Sequence, residues 1–91
     1  MSHQLTLFTF PSTFYALKAE KAVQNAGLKA KLIPMPRELS SLCGLALELE
    51  TGEEERALEI LKAVKLEKKV RVVKEKGLIA KIVEVVEYEP G

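Results

Sequence analysis

The chain has 91 residues but no tryptophan, only one cysteine and only one histidine, and each scarcity removes a class of chemistry. One cysteine excludes an internal disulfide. The single imidazole, His3, lies near the terminus, where chains are loosely held. It cannot complete a convincing metal site with the cysteine, nor serve as the base of a Cys-His hydrolase. No metal ion and no organic cofactor is expected. The five glycines are scattered, so neither a P-loop nor a dinucleotide-binding signature is present. No run approaches the roughly 18 apolar residues of a membrane span. Met1-Ser2-His3-Gln4 lacks the basic and apolar pattern of a leader. No membrane partner is expected, and the expected location is the cytoplasm, where a lone thiol stays reduced. An excess of charge of one sign is also missing. Fourteen Lys+Arg face 13 Asp+Glu for a net charge of +1, interleaved as in Lys65-Leu66-Glu67-Lys68-Lys69. That pattern suits solvated helix faces rather than a phosphate-binding stripe, so no nucleic-acid partner is expected either.

The apolar content, 47%, is enough for one modest core, and the length is that of a single domain spanning 1–91. Leu5-Thr6-Leu7-Phe8-Thr9-Phe10 is rich in β-formers, apolar on both faces and stopped by Pro11, which predicts a central strand. Ser12 or Thr13 can cap a helix running to about Ala26. Its stripe is Tyr15, Ala16, Ala19, Ala22, Val23 and Ala26, and Gly27 ends it. Lys29-Ala30-Lys31-Leu32-Ile33 and Leu45-Ala46-Leu47-Glu48-Leu49-Glu50 alternate at period two and read as half-buried strands. If they pair antiparallel, Lys29 and Lys31 lie across from Glu48 and Glu50; independent solvated charges are an equally good reading.

Thr51 with Glu54 reads as a capping box, followed by a helical stripe of Ala57, Leu58, Leu61 and Val64 to about Lys65. The acidic residues Glu53–Glu55 read as partners of the helix dipole. Val70-Arg71-Val72-Val73 predicts a fourth strand and Lys76-Gly77 a turn. Ile79, Ile82, Val83 and Val86 fit a helix face, but the β-branched run favours a closing strand in a hairpin. The whole is an α+β chain. The order β-α-β-β-α-β with an extra C-terminal strand predicts a ferredoxin-like sandwich, two helices on one face of an antiparallel sheet.

The segment between the second and third strands, Pro34-Met35-Pro36-Arg37-Glu38-Leu39-Ser40-Ser41-Leu42-Cys43-Gly44, is much longer than the two to five residues, roughly, of a plain hairpin loop. Pro34 and Pro36 stiffen its entry. Ser40 and Ser41 can cap a short turn or bind an anion, and Gly44 allows a bend or a close approach just after the thiol. A reactive cysteine needs its thiolate, favoured by a nearby cation and by N–H or O–H donors. Arg37 is the nearest cation in sequence, opposed by Glu38. By position and composition alone, a cysteine before glycine at a strand start is more often a small packing residue than a nucleophile.

The run Pro-x-Pro-Arg-x-x-Ser-x-x-Cys-Gly, here Pro34, Pro36, Arg37, Ser40, Cys43 and Gly44, together with Ala19-Glu20, resembles the selenium/sulfur carrier-like family of small bacterial proteins. The likeness spans about Leu5 to Leu66. It implies that Cys43 takes up sulfur or selenium as a persulfide or selenosulfide and passes it on, with Arg37, Ser40, Ser41 and Gly44 shaping the site. The partners it implies are a donor such as a cysteine desulfurase and an acceptor protein, with no turnover of the chain's own. Glu20 either orients Arg37 or flanks a helix stripe. The alternative is a non-catalytic module that grips an anion or a partner through the Pro-Arg loop, with Cys43 structural. An exposed sheet edge would also permit a homodimer.

Overall fold

The computed structural model describes residues 3–35, 44–74 and 81–88. Five strands, β1 (His3–Thr9), β2 (Ala30–Pro34), β3 (Leu45–Glu50), β4 (Lys68–Lys74) and β5 (Lys81–Glu87), form one sheet in the order β2-β3-β1-β4-β5. Every adjacent pair is antiparallel. Helices α1 (Thr13–Asn25) and α2 (Glu54–Ile60) complete an α+β architecture.

β1 is the middle strand, as its apolar character on both faces requires: every residue from Leu5 to Phe10 is buried. Phe8 and Phe10 join one core with Ala16, Ala19 and Val23 of α1, Ala57 of α2, and Leu47 and Leu49 of β3. Small alanine side chains at Ala16, Ala19 and Ala57 take little room in this core. Leu5 and Leu7, on alternate positions, join a second cluster with Ala46, Val70 and Val72, flanked by Ile33, Met35 and Ile82.

The α1 reading holds with two adjustments: Ser12 stands at the N-cap, but its side chain makes no capping bond, and the buried stripe is shorter. Ala16, Ala19 and Val23 are buried and Tyr15 and Ala22 half-buried, but Ala26 is exposed at the cap. Gly27 follows at φ 86°, the left-handed conformation that ends helices and favours glycine. The tail forms a strand. β5 pairs with β4 through a bulge that leaves Val83 as the extra residue between the pairs Arg71–Glu84 and Val72–Ile82. The expected Lys76-Gly77 turn and Pro90-Gly91 end lie outside the described residues.

The capping box does not form. Thr51–Glu53 is a 3-10 turn, no side chain caps α2, and the Glu54 carboxylate turns down onto the sheet instead. Lys31 does stand opposite Glu48, with 3.8 Å between Nζ and the carboxylate. The lysine side chain is 72% exposed, so the pair fixes register more than it stabilises.

The outer edge of β2 is closed by α1. The Leu32 N–H donates to Glu20 Oε2 at 3.2 Å, and Gln24 Nε2 donates to the Ala30 carbonyl at 3.0 Å. Two residues beyond Leu32, on the same outward side, stands Pro34, which has no N–H to leave unpaired. Three outward-facing positions are thus blocked against another strand, a common protection of sheet edges. Glu20→Ala is expected to accelerate amide exchange at Leu32 while leaving the central-strand amides of Thr6 and Phe8 unchanged. Hydrogen exchange followed by NMR checks this.

Candidate functional site

The ends of the Pro34–Gly44 segment are drawn together by the sheet. Pro34 pairs with Leu45 across β2 and β3, and the Met35 N–H donates to the Gly44 carbonyl at 2.9 Å. The ladder therefore runs one pair past the strands, and the long connection enters and leaves at one point. Ala46, two residues on, pairs with Thr9. The mouth of the loop thus shares an end of the sheet with the Phe10–Thr13 corner that starts α1.

Of the residues singled out in the sequence, Pro36, Arg37, Ser40, Ser41 and Cys43 lie outside the described residues. Pro34 and Gly44 are the anchors. Gly44, next in the chain to Cys43, is exposed. A Cβ placed on it meets nothing within 4 Å among the described residues. The backbone bends at Gly44, as the sequence reading allowed. Glu20 is half-buried, and its carboxylate is engaged by the Leu32 backbone.

A second polar constellation escaped the sequence reading. Glu54 is 4% exposed. Its Oε1 accepts from Thr6 Oγ1 at 3.1 Å and from Arg71 Nε at 3.2 Å, and its Oε2 accepts from Arg71 Nη2 at 2.6 Å. Lys69 Nζ lies 3.7 Å away, and the Thr6 and Thr51 hydroxyls are 3.1 Å apart. The two-pronged Arg71 contact, ahead of the opposing effect of burial, holds the Glu54 carboxyl below the ordinary carboxylate range. The Thr6 hydroxyl and the Lys69 charge add to the lowering. Burial, and then the Glu54 charge, push the Tyr88 phenol upward. The signal was present in the spacing: Glu54 stands three, four and seven residues before Ala57, Leu58 and Leu61, on the stripe that packs inward. Thr6 and Arg71 occupy paired positions on β1 and β4, so the sheet presents a hydroxyl and a guanidinium where the helix presents its carboxylate. Glu84 sits 3.6 Å from the same guanidinium. With charges of both signs closely matched, the cluster pins α2 to the sheet and offers no net field for an ionic ligand.

A shallow groove over Leu5, walled by Lys29, Lys31, Glu48 and Glu50, lies at the other end of β3. It is separated from Gly44 by roughly the 17 Å length of that strand. Its charges also alternate in sign. Among the described residues no group of three or more His, Cys, Asp or Glu side chains could hold a metal ion, and no helix is long and apolar enough to cross a membrane.

The structure defines an α+β protein whose extended loop is clamped at one end of an antiparallel sheet. The chain belongs to the family described as putative Se/S carrier protein-like, whose family model it matches over residues 6–70. That span takes in β1 from Thr6 onward, β2, β3, both helices and the whole loop. No curated protein and no solved structure matches the chain.

Proposed function

We propose that the chain carries sulfur or selenium on Cys43, as a persulfide or selenosulfide, between a donor and an acceptor protein. The observation that carries this reading is family membership across residues 6–70, a span that contains the complete Pro-x-Pro-Arg-x-x-Ser-x-x-Cys-Gly run. Two features support it. The loop is anchored at both ends by the sheet, and Gly44, adjoining the thiol in sequence, is exposed. An exposed glycine next to the thiol allows another molecule's backbone to approach closely.

The chemistry is thiol exchange without net oxidation. The Cys43 thiolate attacks the terminal sulfur of a donor persulfide. The new sulfur–sulfur bond forms as the donor's own breaks, and the donor cysteine leaves as thiolate. In this mechanism Arg37 stabilises the anionic product, and Ser40 and Ser41 supply donors. Transfer onward repeats the step on an acceptor. A carrier needs no acid–base pair of its own, which accords with a chain whose one histidine is His3.

The fold that supports this site is, in our reading, one ferredoxin-like domain spanning 1–91 with a strand added beyond β4. The strand order β2-β3-β1-β4 and the shared core of the two helices favour it. A compartment that keeps thiols reduced, as the cytoplasm does, suits the proposed role. The test is intact-mass analysis after incubation with a cysteine desulfurase and L-cysteine. The wild type should gain the mass of one sulfur atom, reversibly by a reductant. Equal labelling of wild type and Cys43→Ala would reject the proposal.

A further inference from the structure

Helix α1 buries Ala16, Ala19 and Val23 on one side, and the opposite side carries a stripe of different character. Phe14, Leu17, Lys18 and Lys21 follow the spacing i, i+3, i+4, i+7, so they line up on one face about 180° from the buried alanines. Phe14 is 65% exposed and Leu17 53%, in a 13-residue helix that holds its inward face to small residues. The Phe14 ring has an aromatic neighbour. It meets Tyr15 edge to face with ring centroids 5.3 Å apart, and Tyr15 itself packs against the core. An exposed aromatic supported on one side by a half-buried one presents its remaining surface for contact.

The charge on this face has one sign. Lys18 and Lys21 form no ion pair with the described residues, and the helix's one acidic residue, Glu20, is turned to the β2 edge where it accepts from Leu32. α2 differs: its exposed positions mix Glu55, Arg56 and Glu59, and Glu59 pairs with Lys62 of the following turn at 2.6 Å. The apolar end of the α1 stripe also lies toward the mouth of the Pro34–Gly44 loop, since Thr9, which precedes the corner into α1, pairs with Ala46.

We infer that the outer face of α1 is a protein-docking surface, and that its occupant is an acidic amphipathic helix whose apolar stripe covers Phe14 and Leu17 and whose flanking carboxylates meet Lys18 and Lys21. Apolar anchors at i and i+3 followed by cations at i+4 and i+7 match such a helix laid along α1. A bilayer fits less well. Only two apolar side chains are available to insert, because the rest of the helix is sealed into the core, and two lysines give little attraction to anionic lipid. The inference concerns binding alone and does not require Cys43 to be reactive. If the carrier reading holds, this is where a transfer partner would seat beside the loop.

The probe is a synthetic amphipathic peptide with leucines on one helical face and glutamates flanking them, titrated into the reduced full-length protein labelled with 15N. Backbone shifts are expected to concentrate between Thr13 and Lys21 and to leave β4 and β5 still. Phe14→Ala with Leu17→Ala should weaken binding about tenfold or more, as for exposed anchors at an interface. Lys18→Gln with Lys21→Gln should abolish its salt dependence. These are surface changes, and unaltered core amide shifts in each variant check that the fold is kept. Absence of peptide binding, shifts centred elsewhere, equal binding of a peptide with lysines in place of the glutamates, or binding to phosphatidylserine vesicles in preference to the peptide would each overturn the inference. Because no sulfur is transferred, those outcomes leave the carrier proposal to its own test.

Discussion

In Cys43→Ala, the sulfur adduct acquired from a desulfurase is expected to vanish entirely while the fold persists. The loss is all-or-none because the chain has one thiol, and no other side chain in it can form a sulfur–sulfur bond. Cys43→Ser should behave alike, since a hydroxyl near neutral pH is a poor nucleophile towards sulfane sulfur and forms no stable adduct. The comparison also separates the carrier from an anion-binding module. If Arg37→Ala abolished binding of a partner while Cys43→Ser spared it, the thiol would be incidental. The bonds that anchor the loop run through the backbone of Met35 and Gly44 and through the Pro34–Leu45 pair, so neither cysteine substitution removes them.

The largest stability effect is expected at Glu54. Glu54→Ala removes a carboxylate whose side chain is 5% exposed and which receives Thr6, both prongs of Arg71 and the charge of Lys69. Breaking a buried pair from one side costs about 3–5 kcal/mol when the remaining charge is stranded. Arg71 is 38% exposed and can turn to water. Lys69, at 13%, can do so less easily. The expected loss is therefore about 2–3 kcal/mol, or roughly 10–20 °C in Tm for a domain of this size. Glu54→Gln should recover little, because one face of an amide presents N–H donors to donors. Thermal denaturation followed by circular dichroism measures both.

The same carboxylate sets an acid limit. Its pKa is lower in the folded chain than in the unfolded one, so the unfolded state binds more protons as pH falls. The stabilisation is fully present above the unfolded carboxylate value. It declines below that value and is lost as pH passes through the folded value. Glu54→Gln should flatten this part of the stability profile. At the alkaline end the sign reverses. Tyr88 has a raised pKa, so its contribution is whole below the unfolded phenol value and is lost as pH rises through the folded one.

The sheet was legible because its strands alternate or are wholly apolar. β3 has the bounds its period-two pattern predicts, and β1 lies at the centre because Leu5 and Leu7 need burial as much as Phe8 and Phe10 do. The reading of Thr51 and Glu54 failed for a physical reason. A capping box and an inward carboxylate place glutamate at the same spacing, and the choice depends on Thr6 and Arg71, distant in sequence, which offer Glu54 stronger partners than a backbone N–H would. Closure of the β2 edge was equally hidden. The Glu20–Leu32 and Gln24–Ala30 bonds exist only once α1 lies along that strand. The loop presents the opposite case. Its motif was the most specific feature of the sequence, and the fold adds where it is tethered, at Met35 and Gly44.

The rate of Cys43 alkylation as a function of pH tests the central claim most directly. A carrier thiol supported by Arg37 and the loop's hydroxyl and N–H donors should react in the folded protein, with an inflection well below the value of about 8.5 for a free cysteine. In Arg37→Ala the inflection should move upward. A thiol that reacts only after denaturation, or whose rate rises only above the free-cysteine value, would contradict the account.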